Sequence, residues 1–131
     1  MWEQKRQTER GQTFVEFALA LPILTVILFA IIQFGIVFHD YVTITDASRA
    51  GARKAAVSRN VPSATRTSGV VTTVRNSAQN LDQGELNVAV TSTWEKGEDV
   101  TVTATYPYTI RLFGLPVTSG DISSATTERV E

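Results

Sequence analysis

Between Phe17 and Phe38 the chain carries no charged side chain, and Thr25 and Gln33 are the only strongly polar ones. At about 1.5 Å per residue this run makes about 33 Å of helix, enough to cross a hydrocarbon core about 30 Å thick. It is longer than the roughly 7–15 apolar residues of a cleaved secretory signal and is apolar on every face, so residues 12–39 read as a transmembrane helix. The pattern then changes. Over residues 40–59 the helix is expected to continue into water. At 100° per residue Ala47, Ser48, Gly51, Ala52, Ala55 and Ala56 share one half of its surface, and Arg49, Arg53, Lys54 and Val57 the other. Ala47, Gly51 and Ala55 are therefore expected to pack closely against a sheet or a neighbouring helix, because a glycine in mid-helix otherwise weakens it.

After a loop around Pro62, Val70 or Val71, Val74, Ala78 and Leu81 recur at helical spacing and predict a second, amphipathic helix over about residues 65–82, closed by Asp82-Gln83-Gly84. The period then drops to two. Strands are expected at about 85–94 and 99–112, joined through Lys96-Gly97, with a last strand at about 122–130. Pro107 suggests an edge position or a bend, and Phe113–Pro116 and Ser119–Asp121 read as turns. Strands linked so closely pair antiparallel. The expected class is α+β: a long N-terminal helix that spans the membrane and emerges from it, a short second helix and a small antiparallel sheet of three or four strands.

Composition narrows the function. The chain has 131 residues, no cysteine, one histidine and a formal net charge of −1. Disulfides and thiol chemistry are excluded, and nothing in the charge balance provides a footprint for nucleic acid. We find no phosphate loop, no nucleophile beside a base, no calcium loop and no metal-ligand pattern. No cofactor or metal is expected. His39, at the outer end of the span, reads as an interfacial polar residue. Asp82, Glu85, Glu95, Glu98 and Asp99 fall at turns and read as solvated charge, while Trp94, Tyr106 and Tyr108 read as the apolar side of the sheet. The chain is expected not to be an enzyme.

Pro22 removes a backbone donor inside the span and should loosen the helix around Ala18–Pro22. Gly35 and Gln33 read equally well as a helix-contact face and as lipid-facing residues. Glu16 is the discordant side chain, because a carboxylate at the centre of a membrane helix costs about 2.5–3.5 kcal/mol. On the residues alone, a carboxylate at headgroup depth and one awaiting a cationic partner remain equally open.

Gly11 with Glu16-Phe17-Ala18-Leu19, then Leu21-Pro22, Phe34-Gly35 and Ala47–Ala56 (ASRAGARKAA), resembles the TadE-like minor pilins, or pseudopilins, of the tight-adherence (Tad) pilus. The resemblance covers about residues 10–57. It implies a prepilin leader at residues 1–11, cut after Gly11 by a membrane prepilin peptidase so that Gln12 becomes the new N-terminus. It implies further that Phe17 belongs to the recognition motif, and that Glu16, fifth in the mature chain, pairs with the terminal amine of a neighbouring subunit. Gln33 departs from the family pattern, which often has a glutamate before Phe-Gly. The implied location is the cytoplasmic (inner) membrane, N-terminus inside and residues 40–131 outside. Charge alone is poorly decisive, since Lys5, Arg6 and Arg10 precede the span and Arg49, Arg53, Lys54 and Arg59 follow it. The implied partners are the peptidase, other pilins, the assembly platform and membrane lipid. The alternative is a membrane-anchored binding module whose helix is only a tether.

Overall fold

The computed structural model describes residues 2–131, with helical backbone alone for residues 2–10; the side chains of the expected leader, including Lys5, Arg6 and Arg10, lie outside the described residues. The elements are α1 (Trp2–Ala56), α2 (Ser63–Ser77), β1 (Asn87–Ser92), β2 (Asp99–Leu112) and β3 (Leu115–Arg129). The strands form one antiparallel sheet in the order β1-β2-β3. The far half of α1 and all of α2 cover one face of it, giving the expected α+β layout.

The span and the emergent helix are one uninterrupted rod. From Gly11 to Ala56 it holds 46 residues, about 69 Å of helix. It runs through Pro22 without a break, and the Thr25 hydroxyl donates to the Leu21 carbonyl at 2.8 Å within the same turn. The rod stops where its carbonyls find other donors. Ser58 N bonds Ala55 O at 2.9 Å, and the backbone N–H of Glu131 reaches across from the end of the chain to Ala56 O at 3.0 Å. Pro62 then starts α2 by offering its carbonyl to Thr65 N and Arg66 N, both at 3.0 Å. The Arg66 guanidinium ties this corner together, donating to Arg59 O at 2.7 Å and Val61 O at 2.9 Å while lying 5.0 Å over the Trp94 ring.

The helix α2 ends at Ser77, earlier than the periodicity suggests, yet Ala78 and Leu81 are still buried. Asn76, Ser77 and Asn80 favour local side-chain bonding over helix continuation. Successive turns (Ala78 N to Arg75 O, Leu81 N to Ala78 O, both 3.1 Å) then carry the apolar positions on without a helix.

The core lies between α1, α2 and the near half of the sheet. Ile44, Ala47, Ala52, Ala55, Val70, Val74, Val100, Val102 and Ala104 are fully buried. Gly51 sets the helix spacing. A Cβ built there would lie 2.4 Å from Val74 Cγ2 and 3.1 Å from Val102 Cγ1, so α2 and β2 both occupy the space a side chain would need. Opposite β3 the contact is polar instead. Buried Ser48 lies 2.9 Å from Thr126 Oγ1 and 3.4 Å from Ser124 Oγ, and donates to Thr45 O at 2.9 Å. Small hydroxyls on both sides let helix and sheet approach with their polar atoms satisfied.

Two expectations about the strands are corrected. The first strand ends at Ser92, and Trp94 beyond it sits in a left-handed conformation (φ 60°), yet its ring still packs against the core on the side of Val88 and Val90, beneath the Arg66 guanidinium. The last strand begins at Leu115 rather than near residue 122, and only Phe113-Gly114 turns (φ 50° and 84°), as in a two-residue hairpin of mirror-image type. Pro116 and Gly120 disguised the strand. Pro116 sits at the register shift opposite Ile110 and Arg111, where ladder bonding is already interrupted. Gly120 faces Tyr108, whose ring occupies the place of its missing side chain. Pro107 lies two residues beyond Thr105, the last β2 residue paired with β1, where β2 is locally an edge as expected.

Gly51→Ala should destabilise the domain by about 1–3 kcal/mol through overpacking against Val74 and Val102. The loss should shrink in a Val74→Ala background, as measured by chemical denaturation of the detergent-solubilised chain. Equal losses in both backgrounds would contradict the close approach at Gly51.

Candidate functional site

From Gly11 to Leu28 the side chains of α1 are left largely uncovered by the rest of the chain. Fifteen large apolar side chains from Phe14 to Phe38 are exposed, among them Phe14 at 74%, Leu19 at 70% and Phe34 at 70%. Burying one such side chain stabilises by about 1.5–3 kcal/mol, so leaving this surface in water costs on the order of tens of kcal/mol. That exceeds the roughly 5–15 kcal/mol that holds a domain folded. The helix therefore needs an apolar environment from outside. Its most apolar stretch is wholly unburied, unlike the core helix of a soluble protein, and its length is compatible with a single-pass membrane anchor.

At the head of this surface stand the residues singled out in the sequence. Gly11 is exposed and has open space where a side chain would project. Gln12 Nε2 donates to Glu16 Oε1 at 3.0 Å, one helical turn on, and both residues are exposed. Phe17 is 60% exposed, and Pro22 lies on the same uncovered stretch of α1. Glu16 is thus presented outward from an apolar rod, with a neutral amide as its partner within the chain. In a low-dielectric surrounding an amide offsets only part of the cost of an ionised carboxylate.

The packing residues are elsewhere. Ala47 and Ala55 are fully buried and Gly51 is buried between α2 and β2, about 52 Å along the helix from Glu16. The structure keeps the two groups apart: one end of α1 is uncovered, and the other is built into the domain. His39 lies at the junction, with Asn80 Nδ2 3.0 Å from its Nε2 and 3.4 Å from Thr43 Oγ1, which fastens the turn after α2 to α1.

A family model described as TadE-like protein matches residues 11–53. Over that segment, about a third of the chain, the sequence is similar to TadE-like proteins. The match begins at Gly11 and runs through the uncovered apolar rod into the small-residue face around Gly51. Comparison with curated proteins and with solved structures gives no match. The TadE-like segment is therefore confined to α1, while α2 and the sheet lie outside the match.

Two features of this region had weak sequence signals. The Ser48–Thr126 contact joins residues far apart in the chain, with only scattered hydroxyls to mark it. The second is a long hairpin lying along α1: beyond Thr105, β2 and β3 continue as a two-stranded arm whose Phe113 ring sits 5.1 Å from that of Phe29. Tyr108, Ile110 and Ile122 face Ala30, Gln33, Phe34 and Val37 across a cleft of about 380 Å³. The apolar residues flanking the Phe113-Gly114 turn were the available clue.

Because Glu16 has no contact with the folded domain, Glu16→Ala should shift the domain's unfolding free energy by less than about 0.5 kcal/mol. Denaturation of wild type and variant side by side in the same detergent checks this. A larger loss would mean that the carboxylate serves the fold.

Proposed function

We propose that this TadE-like chain is a structural minor pilin (pseudopilin) of a Tad-type pilus, processed after Gly11 by a prepilin peptidase and acting in pilus assembly or adhesion. It is a peptidase substrate rather than an enzyme. The observation that carries the reading is the outward-facing acid at the head of an uncovered apolar helix, five residues after an exposed glycine.

Cleavage after Gly11 breaks the Gly11–Gln12 amide by hydrolysis and leaves an ammonium on Gln12. That ammonium sits at the positive end of the α1 dipole, an unfavourable place for a cation in an apolar medium. Glu16 is the nearest carboxylate along the processed chain, and on a neighbouring subunit the same side chain can meet the ammonium and fix the axial register between helices. The apolar side chains of α1 then exchange lipid for the helices of other pilins. The chain sits in the inner membrane with its N-terminus inside and its α+β domain outside. Its partners are the peptidase, other pilins and the assembly platform.

N-terminal sequencing of protein purified from membranes of a host carrying the peptidase should begin at Gln12, and Gly11→Ala should leave the leader in place. Glu16→Ala should be cleaved normally yet lose assembly. An intact leader in a pilus that builds normally would refute the proposal, and normal assembly of Glu16→Ala would favour a simple membrane-anchored binding module.

A further inference from the structure

Outside α1, the described residues expose four large apolar side chains: Val57 and, clustered at one hairpin tip, Phe113 (64%), Leu115 (72%) and Val117 (64%). The tip segment from Leu112 to Ser119 carries no charge. It does not point into water away from the membrane helix. Its Phe113 ring is packed 5.1 Å from Phe29, well inside the uncovered apolar stretch of α1. The exposed surface of the tip is thus continuous with the surface that needs an apolar environment.

We infer that the β2–β3 hairpin tip enters the leaflet on the domain side of the bilayer, beside α1, so that Phe113, Leu115 and Val117 contact lipid acyl chains. This rests on the reading of α1 as a membrane helix. Backbone groups along the two free edges of the arm limit the depth, because each costs several kcal/mol when left unpaired in hydrocarbon. Arg111, one residue before the Leu112–Leu115 pair, lines the same cleft as Asp40 and Glu85 on the domain side of the tip, which suits a guanidinium reaching back toward headgroups.

Shallow insertion also fixes where the membrane boundary crosses α1. Interfacial elements bury their apolar side about 5–10 Å deep. With Phe113 level with Phe29, the hydrocarbon boundary falls roughly 3–7 residues further along the helix, near Gln33, the one amide in the span. Residues 34–38, with Phe34 and Phe38 stacked at 6.0 Å, then occupy the headgroup layer, and His39 and Asp40 reach water. About 20 residues of helix below Gln33 bring the opposite boundary close to Thr13, so Glu16 lies about 4–5 Å inside the hydrocarbon.

The chain has no cysteine, so single-site labelling needs no background removal. Leu115→Cys and Val117→Cys report on the tip, Leu24→Cys on the span and Ser123→Cys on the exposed sheet surface. Each full-length variant is labelled with an environment-sensitive nitrobenzoxadiazole dye and reconstituted in phosphatidylcholine/phosphatidylglycerol vesicles. Lipids doxyl-labelled near the headgroup should quench the Leu115 and Val117 labels at least twofold. They should leave the Ser123 label unchanged, while lipids doxyl-labelled deeper in the chain quench the Leu24 label. Tip labels behaving like Ser123 while Leu24 is quenched would overturn the inference, as would tip labels shielded from both aqueous iodide and doxyl lipid, which would place a second protein surface on the tip. An unquenched Leu24 label would instead overturn the membrane reading of α1.

Discussion

The structure depends on the apolar surface of α1, which the rest of the chain is too small to cover. The sheet and α2 reach the far half of the rod, and the hairpin arm extends cover down one side as far as Phe29. Around and below that point the side chains are left to whatever surrounds the protein. A lipid bilayer and a bundle of like helices both satisfy this requirement, so the same surface is compatible with a membrane-bound state and an assembled one. On the proposed reading Glu16 would discriminate between them, because hydrocarbon offers it no cation and a processed neighbour would.

The folded domain is built so that this surface can stay uncovered. Its core contacts lie beyond His39: the close approach at Gly51, the aliphatic layer of Val70, Val74, Val100 and Val102, and the hydroxyl contact of Ser48 with β3. None of these uses a side chain before Ile44. The two halves of α1 therefore answer to different environments while sharing one backbone, and a substitution in one half need not disturb the other.

Much of this was legible in the chain. The uncharged run announced the uncovered apolar stretch of α1, and Gly51 among alanines announced a close helix contact, since a glycine in mid-helix is otherwise costly. The alternation in β1 and β2 was plain. Where the reading missed, local chemistry concealed the geometry. Pro116 and Gly120 look like breakers, yet one sits at a register shift and the other makes room for the Tyr108 ring. Helical spacing persisted through Ala78 and Leu81 although the helix had ended, because turns can place side chains at similar intervals. The Phe29–Phe113 contact joins residues too distant for any periodicity to connect. The role suggested for Glu16 came from resemblance; the residues alone showed only its awkward position.

The unbroken course of α1 from its uncovered apolar half into the sheet has a mechanical consequence for a membrane anchor. Nothing between Phe38 and Ala56 acts as a swivel, so the domain must follow the inclination of the apolar segment. Membrane helices commonly lean about 20° from the bilayer normal, and such a lean would displace the far end of the rod sideways by roughly 9 Å. Bilayer thickness, by setting that lean, would thereby steer the direction in which the sheet faces its neighbours.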